Sequence, residues 1–446
     1  MITGVLVKPH YVATAIVLNI IAVVALVRWL RRECQRVPGW QRWALLAALG
    51  ARTVVAVLVG FVPSPDVEGF KAYSWVITRQ LWWFPLDWLH TLGSNQFLFA
   101  DWKVVYYGMS NTFFFFKVLS VVNLLSLGII SITAWYLSLF CFIGGWQLVR
   151  AISRLWPAAT PGATVAFVLW PTVVFWTSTF TKESLLLGSG AWLLSLCLQV
   201  FYGSSAASRW QLVRWLSGIV LLAGLHFNMR FFFASPLLIG LVALALVRTA
   251  QRLGLAQRRA AQVLCFGAVL AVGAWVGPQL SPSFRLNKFT SQMVKVYTHH
   301  LSTSQHRPHF EYPNLVPTAS SAAAHLPLAL VNAFAQPIPG QSKQGLYIAA
   351  GFENVLLFGL FGLAIAAAVR RKSAGPLPFA VVLALGLYCL AIALLLGLTT
   401  PNLGTLNRYR SAMLPYLLLL LLQNEYAAGL LRRLGLGEPL PPPSAL

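Results

Sequence analysis

With 446 residues, 58% of them hydrophobic and only 10% charged, and a mean hydropathy of +0.71, the chain has too little polar surface to coat a water-soluble globule. Its apolar runs continue over about 18 to 24 residues, which excludes a membrane barrel, whose strands alternate in runs of about 10. The net charge of +23 would suggest nucleic acid in a soluble protein; here the basic residues flank apolar runs, so they report membrane topology and no nucleic-acid partner is expected.

Taken in order, the runs predict an all-α polytopic transmembrane helix bundle forming a single integral membrane domain over 1–446. About eleven spans are expected, at roughly 11–29, 43–62, 115–146, 162–179, 184–203, 211–227, 231–248, 261–279, 346–369, 376–398 and 411–424. The first run has no small-residue cleavage site and leads into "RWLRRECQR", so it is expected to be an anchor with its basic end in the cytoplasm. Alternation then puts the N-terminus outside, the C-terminus inside, and the short Arg-rich loops around Arg150, Arg209, Arg252 and Arg370 on the inner side. All eight histidines fall on or near the outer face. So do Asp66, Glu68, Asp87, Asp101, Glu183, Glu311 and Glu353, while Glu33, Glu425 and Glu438 stay inside. Groups capable of proton transfer and of sugar or anion binding are therefore concentrated outside. The five cysteines show no paired spacing, and four lie in apolar runs, so neither a disulfide framework nor a metal knuckle is indicated.

Two outer segments are long enough to build a site. Segment 63–114 contains "PSPDVEGFKAYSWVITRQLWWFPLDWLHTLG", whose aromatics beside scattered charges suit helices lying in the interface. Segment 280–345 carries "THHLSTSQHRPHFEYPNLVP" and "AFAQPIPGQSKQG", joined by an apolar stretch at 322–335, and is expected to form an ordered cap.

Asp66 and Glu68 follow the second run directly. They suit either a general base that takes a proton from an acceptor hydroxyl, with the chemistry to orient a divalent cation (Mg or Mn), or simple capping of the helix that starts there. No cofactor is fixed by the pattern. In "FWTSTFTKESLLLG" a short outer turn holds Lys182 and Glu183, where Thr181 would cap the next helix and Lys182 would reach either headgroups or a lipid phosphate. Arg230, in "HFNMRFFFASP" beside His226, needs an anionic partner, which is either Glu183 or a ligand phosphate. In "TTPNLGTLNRYRSAMLP" the outer Arg408 and Arg410 run against the positive-inside bias and suit a phosphate or pyrophosphate site, with Asn402 and Asn407 as substrate contacts. His299 and His300 lack metal-ligand spacing and are expected to contact sugar; no metal site is assigned.

These features resemble the GT-C class of polytopic glycosyltransferases: an acid early in the first large outer loop ("PSPDVEGF"), interfacial helices after it, and a late outer loop with arginines. "FWTSTFTKESLLLG" and "TPNLGTLNRYRSAMLP" are also similar to segments of bacterial polysaccharide-assembly membrane proteins. The resemblance implies a bacterial cytoplasmic-membrane enzyme that takes a sugar from a polyprenyl-phosphate-linked donor to a glycan or lipid acceptor. Asp66 would be the base, Glu68 its substitute, and Lys182, Arg230, Arg408 and Arg410 would neutralise the leaving lipid phosphate. A polysaccharide polymerase or ligase is the nearest alternative. A lipid-linked glycan flippase would instead use polar groups within spans, for which the candidates are Arg52, Lys117 and Glu353 with Asn354.

Overall fold

The computed structural model describes residues 9–99, 102–106, 110–203 and 208–437; Asp101 and Glu438 lie outside the described residues. Among the described residues the fold is all-α apart from one antiparallel strand pair. In chain order come α1 (Pro9–Gln35), α2 (Gly39–Phe61), α3 (Pro65–Trp83), α4 (Pro85–Gly93), the strands β1 (Gln96–Phe99) and β2 (Trp102–Val105), α5 (Asn111–Ser126) and α6 (Ile130–Leu155). Short α7 (Thr160–Thr164) and α8 (Pro171–Trp176) precede α9 (Lys182–Tyr202), α10 (Arg209–Met229), α11 (Phe231–Arg252) and α12 (Arg259–Leu280). The remainder is α13 (Leu286–Ser302), α14 (Ala319–Ala335), α15 (Gly345–Val369), α16 (Phe379–Thr399), α17 (Leu403–Arg410), α18 (Leu414–Leu422) and α19 (Glu425–Arg433).

Among the described residues nine helices are long and apolar enough to cross a bilayer, or ten if the bent pair α18–α19 is one span, which corrects the expected eleven. Three apolar runs are broken. At 162–179 a π-helical turn, Val165–Leu169, ends at Trp170, whose extended backbone (ψ 125°) is what a following proline imposes, and Pro171 has no N–H to continue the ladder. At 411–424 the chain turns by 91° between α18 and α19, and Asn424 caps the new helix by accepting from Tyr426 and Ala427 N–H. The run expected at 115–146 is two helices. Leu127 (φ 51°) and Gly128 (φ 72°) close α5 in left-handed conformations, and a Cβ on Gly128 would come within 2.9 Å of the Trp75 ring.

The described chain forms two compact units. The first comprises residues up to Trp146, Val174–Trp192 and Val220–Phe231. Its α3 starts with Pro65 at the first turn and carries Asp66 and Glu68 at the positive helix end. A polar zipper joins α3 to α5: Asn123 donates to Ser74 (3.2 Å) and Thr78 (3.0 Å), and Trp88 of α4 donates to Ser120 (3.0 Å). Such bonds inside a membrane protein contribute on the order of 0.6 kcal/mol each, so the zipper fixes register more than it adds stability. The antiparallel strand pair sets Phe97 opposite Val104 and packs Phe97 against Val76, Ile77, Phe113 and Phe116.

The second unit comprises Gln147–Val173, Leu193–Ile219 and Phe232–Leu446. Here the segment between α13 and α14 is an ordered cap. Tyr312 is buried, accepts from Asn332 (3.1 Å) and donates to the Gly397 carbonyl of α16 (2.8 Å), while its own N–H donates to the Tyr297 hydroxyl (2.7 Å). Burial pushes the Tyr312 phenol up to about 12, so it remains a donor across the physiological range.

Candidate functional site

In the first unit, the turn before α9 is tied by its own hydroxyls. Thr179 and Thr181 both donate to the Trp176 carbonyl, at 2.8 and 3.2 Å, so Thr181 braces the preceding helix instead of capping the next one as expected. This delivers Lys182 and Glu183 at the first turn of α9. Glu183 is 1% exposed and its carboxylate accepts from Arg230 at 2.9 Å, which joins the start of α9 to the residue after α10. The Lys182 ammonium donates to Thr112 of α5 (2.7 Å) and lies 5.7 Å over the Phe70 ring of α3.

Asp66 stands four residues before Phe70, hence on the same face of α3, the face that meets Lys182. Both Asp66 and Glu68 are exposed. Their two-residue separation on a helix turns the side chains away from each other. A Mg or Mn ion held by either would take its remaining ligands from substrate and water. His226 is 1% exposed, its Nδ1 lies 2.9 Å from the Ser189 hydroxyl, and its Nε2 is buried without a partner among the described residues.

Beside this turn, the end of α4, the start of α5 and the end of α10 line a cavity of about 260 Å³. Lys117 forms part of its wall. It is 8% exposed, donates to the Leu92 (3.1 Å) and Ser94 (2.7 Å) carbonyls at the C-terminus of α4, and lies 4.5 Å from the centre of the Phe113 ring. Three carboxamides, Asn95, Asn111 and Asn228, line the same space. The sequence gives no warning of them, because isolated asparagines from three separate segments share no spacing.

In the second unit the expected arginine pair does not act as a pair. Arg410 is 1% exposed. Its Nη1 donates to the carbonyls of Ala333, Phe334 and Gln336, each at 3.3 Å, and its Nη2 to Asn354 (2.7 Å) and Asn407 (3.0 Å). It closes the C-terminal end of α14, where carbonyls lack helical partners. Burial lowers its guanidinium to about 10 and the Glu353 carboxylate pulls the other way, so it remains a cation at neutral pH. Asn407 is buried in that clamp. Arg408 is half-buried on another face, its guanidinium 5.1 Å from the Tyr409 ring, and Tyr409 meets His300 edge-on at 6.4 Å. His299 is exposed one position earlier on α13.

Asn402 caps α17 by accepting from Thr405 N–H (2.8 Å), and its amide donates to Ser304 (2.9 Å). Around it the Phe310 N–H donates to the Pro401 carbonyl and the Leu403 N–H to Pro308, clamping the cap to the chain before α17. Asn402 and Asn407 thus hold the fold. The four expected cations divide between the units, Lys182 and Arg230 in the first, Arg408 and Arg410 in the second.

The polar groups expected within spans meet protein oxygens in part: Arg52 does so through Nη1 alone, and Lys117 through two of its three N–H bonds. Arg52 donates to Thr177 (2.9 Å), Ser138 and Ser178, Glu353 accepts from Thr172, and Asn354 donates to the Pro337 carbonyl (2.8 Å). Among the described residues no group of three or more His, Cys, Asp or Glu side chains is placed to hold a metal ion. No family model, curated protein or solved structure matches this chain, which the structure defines as a polytopic helical membrane protein with nine or ten candidate spans.

Proposed function

We propose that the protein is a GT-C-like membrane glycosyltransferase, moving a sugar from a polyprenyl-phosphate-linked donor to a glycan or lipid acceptor at the outer face of a bacterial cytoplasmic membrane. The observation that supports this best is the meeting of Lys182 with the α3 face that carries Asp66. A carboxylate and an ammonium on adjoining elements at a membrane surface are what an inverting transfer requires. The Asp66 carboxylate takes the proton of the acceptor hydroxyl. The acceptor oxygen then bonds to the anomeric carbon as the bond from that carbon to the phosphate oxygen breaks, and Lys182 receives the negative charge of the departing lipid phosphate.

Arg230 adds less, because Glu183 already balances it. Arg408 is the remaining candidate cation, and Arg410 positions α14. The engagement of Glu353 and Asn354 by protein groups supports transfer over a flippase, whose intramembrane polar groups would face a pathway.

The test is turnover of a polyprenyl-phosphate sugar by the purified chain in nanodiscs. Asp66→Asn is expected to lower kcat by about 10² or more, in line with general-base catalysis, with folding unchanged. Lys182→Met is expected to lower kcat and weaken donor binding together. Full turnover by the Asp66→Asn variant removes Asp66 from the mechanism, and movement of labelled lipid between leaflets without chemical change overturns the enzyme.

A further inference from the structure

The cavity beside Lys117 holds unused hydrogen-bonding capacity. Lys117 commits two of its three N–H bonds to the Leu92 and Ser94 carbonyls, and no carboxylate among the described residues pairs with it. The Asn95 side chain bonds to no described protein group. Asn111 keeps both amide N–H bonds, and Asn228, which donates to the Gly224 carbonyl, keeps its amide oxygen. Phe113 and Phe227 add aromatic surface. Carboxamides that both donate and accept, set beside an aromatic face, suit the hydroxyls and the C–H face of a sugar ring. A nearby ammonium without an acidic partner suits an anionic substituent on that ring. The volume of about 260 Å³ is just under the range of about 300–1,000 Å³ for drug-sized ligands, which matches about one sugar ring.

We propose that this cavity is a subsite for a single acidic sugar unit, a ring bearing a carboxylate, with Lys117 contacting the carboxylate and Asn111 and Asn228 the hydroxyls. It adjoins the proposed transfer site through Thr112, which follows Asn111 and accepts from Lys182. The proposal rests on the glycosyl-transfer reading for the fate of the sugar but not for its binding.

The experiment measures ligand-induced thermal stabilisation of the full chain in nanodiscs with glucuronate, glucose and inorganic phosphate. Glucuronate is expected to bind at least about ten-fold more tightly than glucose or phosphate, since one charge-assisted hydrogen bond contributes about 1.5–3 kcal/mol. Lys117→Gln is expected to abolish the preference over glucose. Because Lys117 is buried and that variant can fail to fold, the exposed Asn228→Asp is the second probe, expected to weaken glucuronate and spare glucose. Equal binding of glucose and glucuronate, phosphate binding as tight as glucuronate, or an unchanged preference in Asn228→Asp overturns the proposal. Asp66→Asn is expected to keep the preference while losing turnover. Preference without any transfer in the wild type would overturn the transferase and leave the subsite standing.

Discussion

At the scale of single residues, the Glu183–Arg230 pair sets a measurable cost. Removing one partner of a buried ion pair leaves an uncompensated charge and costs about 3–5 kcal/mol. Arg230 is 14% exposed at its side chain, so Glu183→Ala is expected near the lower end, about 3 kcal/mol, with part recovered in the double variant lacking Arg230. Equilibrium unfolding in mixed micelles gives the coupling, and a value below about 0.5 kcal/mol would dissolve the pair as a structural link. His309 offers a pH test. Its Nδ1 faces the Arg307 carbonyl (2.8 Å) and its Nε2 the Glu311 carboxylate (3.2 Å), so the imidazolium satisfies both acceptors and its pKa is raised above the ordinary 6.5. A raised folded-state pKa gives stabilisation that is complete below about 6.5 and lost as pH rises through the folded value. Hydrogen-exchange protection of Phe310 and Leu403 N–H should therefore fall as pH rises above the ordinary imidazole value of 6.5, and His309→Gln should flatten that dependence. A flat profile in the wild type would exclude the link. The sequence offered Glu183 as a partner for Arg230, but disclosed neither the His309–Glu311 contact nor the separation of Arg408 from Arg410. Residues two apart on a helix point about 200° apart, and which of them turns inward depends on the carbonyls at the end of α14, which no local spacing encodes.

At the scale of elements, apolar length located the nine long helices, because a continuous run of that size has few other uses. It did not reveal the breaks. Hydropathy averages over the prolines that interrupt 157–176 and over the left-handed pair Leu127–Gly128, so a broken segment and a straight span look alike. The cavity was illegible for a related reason: its walls come from α4, α5 and α10, and only tertiary structure assembles them. One helix contact is specific enough to test. A Cβ on Gly188 of α9 would fall 2.8 Å from the Cys141 Cα of α6, and one on Gly144 would fall 2.3 Å from the Gly188 carbonyl oxygen. Small residues that let helix backbones touch are a principal source of association within lipid. Gly188→Ala is expected to destabilise the protein by about 1–3 kcal/mol as overpacking does, while Gly50→Ala, with nothing within 4 Å, is expected to be neutral or slightly stabilising. Equal unfolding midpoints for the two variants would contradict the close approach.

At the scale of the whole molecule, the sidedness inferred from Lys and Arg makes a demand on the broken segment. If Arg150 and Arg154 are cytoplasmic and Lys182 is outside, residues 157–176 must cross the bilayer although no single helix there does. Reporter fusions decide this. A fluorescent protein fused after Trp156 is expected to fluoresce in the cytoplasm, and alkaline phosphatase fused after Thr181 is expected to be active outside. If both report the cytoplasm, the segment is re-entrant, Lys182 is on the inner face, and the extracytoplasmic site is lost. The first helix carries a consequence of another kind. α1 gives only Ala15 and Glu33 to the interior, yet it is tied near both ends, by the Tyr11 ring stacked 4.2 Å from Trp82 and by Glu33 accepting from Trp146 at 2.9 Å. Its 27 residues span about 40 Å against a hydrocarbon core of about 30 Å. A helix so anchored has little freedom to re-tilt, so hydrophobic mismatch falls on the surrounding lipid and on the Arg28, Arg31 and Arg32 side chains that reach for headgroups. A thinner bilayer would therefore bear on the contacts that hold α1, the Tyr11–Trp82 stack and the Glu33–Trp146 bond at its ends and the Asn19 bonds to Leu125 and Tyr136 between them.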